Sequence, residues 1–239
     1  MASKKFKQVL LIRFVAHLSV IIAILSLVFE FGPILSAEFK FRLDQLTGVS
    51  HSLSDSTPTS DWAPPAPGST PTPSSAPTAQ FGNFLNLNTS SITPVSTDYG
   101  IVIEKINANA KVVADVDTGD ERAYSAALAQ GVGEARGSTE PGKPGNLYIF
   151  SHSTDAPWNI VRFNAIFYLL RELEKGDRVV VFYKGRRFDY IVYDKSIVDP
   201  HDLSFLANRY DQPVLTLQTC DPPGTLLHRL IVRAKLEGY

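Results

Sequence analysis

The pattern of apolar and polar positions divides the chain into three parts. From Phe14 to Phe31 most positions are apolar and no polar stripe recurs at helical spacing, which predicts one helix long enough to cross most of a bilayer. Residues 55–79 are mostly Ser, Thr, Pro and Ala, a composition that cannot build a core. After residue 99, short β-prone runs alternate with turn residues, which predicts one folded domain over residues 99–239.

The β-prone runs predict an all-β domain, either an antiparallel sheet or a closed barrel, with few helices. Lys184-Gly185-Arg186-Arg187 separates two runs and is typical of a hairpin turn. Two helices are expected, an alanine-rich one from Glu121 to Gln130 and a second that ends at Gly176. The apolar face of the second helix consists of Phe163, Ile166, Phe167, Leu170 and Leu173. The β-prone runs are Ile101 to Ile106, Leu147 to Ser151, Arg178 to Tyr183, Phe188 to Val192, Val214 to Cys220 and His228 to Leu236.

Basic residues before the apolar helix predict the topology of the chain. The positive-inside bias places the N-terminus in the cytoplasm and everything after the helix outside. We expect a cytoplasmic segment over residues 1–13, a transmembrane signal anchor over residues 14–36, and an extracytoplasmic stalk or linker over residues 37–98. The protein would then be a single-pass protein of the plasma membrane. The basic residues are Lys4, Lys5, Lys7 and Arg13.

A cleaved signal peptide is the alternative to an uncleaved anchor, because the small residues Ser36 and Ala37 follow the apolar run. The length of that run, and the presence of Leu35 where a cleavage site needs a small residue two positions before Ala37, favour the anchor. Within the stalk, the segment from Phe81 to Leu87 is more apolar than its surroundings. Two roles are open for it: packing on the domain, or folding over a groove as a lid.

Composition excludes several kinds of function. The formal net charge of −1 provides no basic field for nucleic acid. Five scattered histidines and one cysteine have no zinc-ligand spacing, and no Gly-rich loop has a phosphate-binding context, so neither a metal nor a cofactor is expected. A small acidic cluster is better explained as a solvated loop than as a calcium site. The cluster comprises Asp115, Asp117, Asp120 and Glu121.

The single cysteine, Cys220, ends a β-prone run and is followed by the turn residues Asp221 to Gly224. A second β-prone run starts at His228, so the two runs are predicted to be neighbouring antiparallel strands. Folding about the turn places Cys220 opposite His228 and Arg229. Arg233 has the same parity as Arg229 but lies about 13 Å further along the strand at a rise of ~3.3 Å per residue. Arg229 is therefore the expected partner of the thiol.

A thiolate beside a fixed cation suits acyl transfer, because the cation can meet the oxyanion that develops on an attacked carbonyl. Such a reaction also needs a proton carrier, which should be a histidine. His152 ends a strand-like run and enters a loop, where catalytic side chains are often displayed, so it is favoured over His201 in another loop. The remaining three histidines are excluded. His17 lies in the membrane segment, His51 lies in the polar stalk, and His228 points to the opposite face of its strand from Arg229.

At these residues the chain resembles the sortases, a family of membrane-anchored cysteine transpeptidases. The run from Thr216 to Cys220 matches the family's Thr-Leu-x-Thr-Cys motif, and the run from His228 to Val232 is similar to the strand that carries its essential arginine. The segment from Pro141 to Asn146, followed by a strand and His152, is similar to the approach to the family's histidine. The resemblance covers roughly residues 99–239. It departs from the common pattern at Ser151 and Ser153, which flank His152, and at Glu134, where many members carry a second histidine.

The resemblance implies an eight-stranded sortase-like β-barrel with Cys220 as nucleophile, His152 as proton carrier and Arg229 as oxyanion donor. It also implies Thr219 as a supporting residue in substrate binding. The implied partners are exported proteins with a Leu-Pro-any-Thr-Gly type sorting signal and an amine acceptor, either a cell-envelope precursor or a lysine of a pilin. Two rival functions are a cysteine protease with the same residues and an inactive surface domain that binds peptides.

Overall fold

The computed structural model describes residues 4–54, 89–152 and 166–239. The Pro-rich part of the expected stalk, the apolar segment from Phe81 to Leu87, and Phe163 lie outside the described residues. Within these described residues there are two α-helices, α1 (Lys4–Thr47) and α2 (Glu121–Leu128). Three 3-10 turns are Glu104–Ile106, Leu170–Glu172 and Ser204–Leu206. The strands are β1 (Ser50–Leu53), β2 (Thr89–Ile92), β3 (Tyr99–Ile103), β4 (Ala108–Val116), β5 (Val132–Ala135), β6 (Gly145–Phe150), β7 (Arg178–Tyr183), β8 (Arg186–Val198), β9 (Pro213–Asp221) and β10 (His228–Leu236).

Strands β3 to β10 form a closed barrel in the order β10-β8-β7-β3-β4-β5-β6-β9, which confirms the predicted eight-stranded barrel. Most neighbours are antiparallel, but β4 pairs with β5 and β6 pairs with β9 in parallel. The parallel pairing of β6 and β9 has a direct consequence for the site. Because parallel strands end at the same edge of a sheet, the residues that follow β6 and those that end β9 are brought together.

Alternation along each strand separates the barrel interior from its outer face. Leu215 and Leu217 of β9 are fully buried in the interior cluster, together with Leu147 and Ile149 of β6. The residues between them point outward. Outside the barrel, α2 covers a smaller apolar cluster that includes Tyr148 and Phe150. That cluster forms the wall on which the candidate site is built.

Helix α1 is longer than the sequence predicts. Phe6 to Ser26 is long and apolar enough to cross a membrane, but the helix continues to Thr47. Near its C-terminal end, Phe41 is buried in the interior cluster of the barrel, and Glu38 pairs with Arg171 at 2.9 Å. The residues expected to start the stalk are therefore helical and packed on the domain.

Two further parts of the expected stalk are also structured, one before and one after its Pro-rich segment. β1 pairs in parallel with β2, and Ile92 of β2 packs on the outer face of the barrel against Val102, Val180 and Phe182. In the strand order this face, formed by β3 and β7, lies across the barrel from β6, β9 and β10. The chain thus leaves the described region at Ser54 and re-enters it at Thr89 on the side away from Cys220.

The prediction of a helix that ends at Gly176 is wrong for the part that the structure describes, which begins at residue 166. Residues 166–169 form turns and Leu170–Glu172 is a single 3-10 turn. The apolar residues Phe167, Leu170 and Leu173 are nevertheless fully buried, as a core face should be. The Lys195 ammonium donates to the carbonyl oxygens of Arg171 and Leu173 at 2.7 and 2.8 Å, so side-chain bonds satisfy carbonyls that a longer helix would pair internally.

Candidate active site

Cys220 and Arg229 face each other across neighbouring strands. β9 and β10 are antiparallel with Cys220 opposite Arg229, which is the register expected from the turn between them. Leu217 points into the barrel, so Cys220, three positions further on, lies on the outer face. Arg233 is opposite Thr216 instead and bonds Asp194 at 2.7 Å, so it is committed to a different partner.

The backbone that leads to His152 is fixed to the strand that carries Cys220. The Ser151 N–H donates to the Gln218 carbonyl oxygen at 3.1 Å. The Thr219 hydroxyl donates to the Ser151 carbonyl oxygen at 3.0 Å. The backbone N–H and the carbonyl oxygen of Ser151 are thus both bonded to residues just before Cys220. On the other side, the Tyr124 ring from α2 meets the His152 ring edge-on, with centroids 6.1 Å apart.

These groups line one cavity, which has a volume of about 300 Å³. Its lining includes Cys220, His152 and Arg229. Two other parts of the chain complete its walls: α2 contributes Tyr124 and Leu128, and the loop between β8 and β9 contributes Pro200, Asp202, Leu203 and Leu206. A larger cavity of about 440 Å³ lies between the end of α1 and β1, and the three candidate residues are not part of its lining. Chemistry rather than size therefore identifies the site.

Tyr148 forms a buried polar contact in the cavity wall. Its hydroxyl donates to the side-chain oxygen of Gln218. Burial raises the pKa of Tyr148 well above its usual value, Arg229 acts to lower this pKa, and Asp202 acts to raise it. The phenol of Tyr148 therefore stays protonated, and its hydroxyl can donate the hydrogen bond to Gln218. Arg229 and Asp202 both belong to the lining of the same cavity as Tyr148.

Arg229 is held by backbone carbonyls. One terminal nitrogen donates to the carbonyl oxygens of Leu226 at 3.4 Å and His228 at 3.2 Å. Within the residues that the structure describes, no carboxylate pairs with this guanidinium, whereas Arg187 and Arg233 both bond aspartates. Donors of Arg229 are consequently available for an anionic or carbonyl oxygen in the cavity.

The other sequence candidates lie elsewhere. The His201 side chain is 93% exposed, and its Nδ1 lies 3.0 Å from Asp199 outside the cavity lining. His228 is exposed and lies opposite Asp221. Thr219 is buried, and its hydroxyl meets the Ser151 backbone rather than the cavity. Glu134 accepts a hydrogen bond from the Tyr99 hydroxyl at 2.7 Å on the inner side of the barrel.

Sequence reasoning missed several residues of the cavity. Tyr124 lies in a helix recognised only by its alanines, and nothing local marks it as a neighbour of His152. Asp202 lies in a loop whose path depends on the barrel. Gln218 was detectable, because it shares the parity of Cys220 in the same motif and therefore shares its face.

Acidic residues before α2 have structural partners. Asp120 caps α2 by accepting from the Arg122 and Ala123 N–H groups. Asp115 and Asp117 pair with Arg136 at 3.3 and 2.8 Å. In the described part of the chain, no group of three or more His, Cys, Asp or Glu side chains is arranged to hold a metal ion.

The fold and the site together define a class: a closed eight-stranded barrel whose outer groove carries a thiol, an imidazole and a guanidinium. The sequence profile described as the Sortase domain matches residues 101–237, which is more than half of the chain. The protein belongs to the sortase family.

Individual relatives agree with this assignment. The chain is 28% identical over 137 residues to "Sortase D" of Bacillus subtilis (strain 168), covering 56% of this chain and 61% of that protein. Among solved structures, sortase C-1 from Actinomyces oris is similar with a TM-score of 0.51 and 26% identity, over 61% of this chain and 76% of that one. Sortase A from Corynebacterium diphtheriae is similar with a TM-score of 0.50 and 28% identity, over 59% of this chain and 61% of that one.

Proposed function

We propose that this protein is a membrane-anchored cysteine transpeptidase in which Cys220 is the nucleophile, His152 the proton carrier and Arg229 the oxyanion donor. The observation that carries the proposal is that Cys220 lies opposite Arg229 in the strand register and that both line one cavity with His152. Membership of the sortase family supports the same reaction type. The substrate class is an exported protein with a Leu-Pro-any-Thr-Gly type sorting signal.

In the first half of the reaction, the Cys220 sulfur attacks the carbonyl carbon of the scissile peptide bond. A C–S bond forms, and the carbonyl oxygen becomes an oxyanion to which Arg229 donates. The thiol proton passes through His152 to the leaving nitrogen, and the C–N bond breaks. The products are a thioester on Cys220 and a free amine on the departing peptide.

In the second half, an acceptor amine attacks the thioester carbon. A C–N bond forms, the C–S bond breaks, and one amine proton returns through His152 to the sulfur. The acceptor is a cell-envelope precursor or a lysine of a pilin. Using water instead of an amine would make the same residues a cysteine protease.

Thr219 fits a positioning role in this reaction. It lies next to Cys220 but points to the other side of β9, where its hydroxyl bonds the carbonyl of Ser151. Its contribution would therefore be to hold the residue before His152 at a set distance from Cys220, a contact distinct from the substrate binding implied by the family resemblance. The apolar part of α1 would anchor the enzyme with its N-terminus in the cytoplasm and the barrel outside.

The test is mass spectrometry on the full chain in detergent with a Leu-Pro-any-Thr-Gly peptide library and an amine acceptor. We expect a peptide-acceptor amide that is absent with Cys220→Ala. Cleaved peptide without amide would indicate a protease. An unreactive thiol and no product would contradict the proposal and favour a peptide-binding domain.

A further inference from the structure

The candidate cavity contains two opposite charges. Arg229 contributes a cation from β10, and Asp202 contributes a carboxylate from the loop between β8 and β9. Oxyanion stabilisation needs only the cation. Asp202 is exposed at the edge of the cavity, so its carboxylate can meet a charged group that enters from solvent.

Asp202 is held in place within its loop. Its Oδ1 accepts from the Ser204 N–H at 3.0 Å, and its own N–H donates to the Asp199 carbonyl oxygen at 3.0 Å. Hydrogen bonds from the Ser204 side chain and backbone lower the pKa of the Asp202 carboxyl, so this group is ionised at neutral pH. A second hydrogen-bond acceptor, Oδ2, completes the carboxylate.

Asp202 also differs from its acidic neighbour. Asp199, three positions earlier, pairs with His201 at 3.0 Å and does not line the cavity. In residues 4–54, 89–152 and 166–239, no cationic side chain lies within ion-pair distance of Asp202. The two aspartates thus share a loop and a charge but differ in position and partner.

We infer that Asp202 binds the ammonium group of the acceptor and so selects cationic amines for the second half of the reaction. The inference rests on the proposed function. A lysine-type amine is an ammonium ion at neutral pH, since its pKa is about 10.4. A carboxylate on one side of the cavity attracts that ion towards the thioester, while Arg229 serves the carbonyl oxygen on the other.

The proton balance is compatible with this assignment. The bound ammonium loses one proton to the neutral His152 imidazole, which leaves a nucleophilic amine. That amine forms the new C–N bond as the C–S bond breaks, His152 passes the first proton to the departing sulfur, and the imidazole then takes the second amine proton. The third stays on the amide nitrogen. The extra proton then passes from His152 to solvent.

Asp202→Asn isolates the charge, because an asparagine side chain can accept the same hydrogen bond from Ser204. Asp199→Asn is the matched control in the same loop. The full-length enzyme is loaded as its thioester with a sorting-signal peptide, and partitioning is measured between Nα-acetyl-lysine methylamide, which is cationic, and hydroxylamine, which is mostly uncharged at neutral pH.

We expect Asp202→Asn to lower the ratio of lysine product to hydroxylamine product by roughly threefold to tenfold at low salt, with the difference shrinking at ~1 M salt, where the Debye length is about 3 Å. Asp199→Asn should leave the ratio unchanged. An unchanged ratio in Asp202→Asn, or an equal change in both variants, would overturn the inference. Absence of a thioester in the unmodified enzyme would instead contradict the proposed function itself.

Discussion

The two faces of strand β9 differ in what they contribute to the molecule. The inner face presents Leu215 and Leu217, which are fully buried in the barrel core. The outer face presents Gln218 and Cys220, which are only partly buried and line the candidate cavity. Alternation thus separates stability from chemistry within one strand. Substitutions on the two faces should therefore have different consequences, for activity on the outer face and for stability on the inner face.

The largest effect is expected for Cys220→Ala. Removal of the only sulfur nucleophile should abolish thioester and amide formation, while the small, partly buried side chain contributes little to folding. Intact-mass detection of the thioester and a thermal melt measure the two properties. Residual transpeptidation above the background would show that another group is the nucleophile, and a large fall in Tm would show that the outer face also supports the core.

Arg229→Gln should reduce kcat by roughly 10² to 10³, the usual loss for one oxyanion donor, with little change in the melting temperature. Arg233→Gln is the matched control, because Arg233 lies on the same face of β10 but bonds Asp194 and Tyr210. That control should lose stability and keep its activity per folded molecule. Equal kinetic losses in the two variants would indicate a general electrostatic effect instead of a specific oxyanion contact.

Leu217→Ala tests the inner face of the same strand. Truncating a fully buried leucine typically costs about 2 to 5 kcal/mol of unfolding free energy. We expect this loss in urea denaturation, and we expect the folded fraction to retain its thioester chemistry. A greater loss of kcat than of stability would mean that the core also sets the position of Cys220.

The sequence predicts this division well because it depends on local patterns. Alternation and the turn after Cys220 were enough to place Arg229 opposite the thiol, and the family motif implied the closed barrel. The features that the sequence does not predict depend on contacts between residues that are far apart in the chain. Phe41 has no local signal that it will enter the barrel core, and Tyr124 and Asp202 reach the cavity only because α2 and a loop pack beside β6 and β9.

A smaller effect is expected where α2 meets the site. Tyr124→Leu removes an edge-to-face ring contact to His152, which is worth about 0.5 to 1.5 kcal/mol and predicts a fall in kcat of roughly threefold to tenfold. Tyr124→Phe keeps the ring and should restore most of the rate. If the leucine and phenylalanine variants lose equally, the hydroxyl and not the ring is important. Steady-state kinetics, with KM reported separately, distinguish orientation of His152 from substrate binding.

The smallest effect concerns an ionisable group on the inner face. Burial raises the pKa of Glu134, even though the hydrogen bond from Tyr99 acts in the opposite direction. Because the folded state then binds this proton more tightly than the unfolded state, the contribution to stability is largest below the unfolded pKa and is lost as pH rises through the folded pKa. The glutamine in Glu134→Gln cannot titrate. The melting temperature of this variant minus that of wild type should therefore become more positive from acidic to neutral pH. If the difference in melting temperature between the two proteins stays constant across that pH range, the inner face tolerates a charge as well as the outer face does. The separation between the two faces of the barrel would then apply to packing alone.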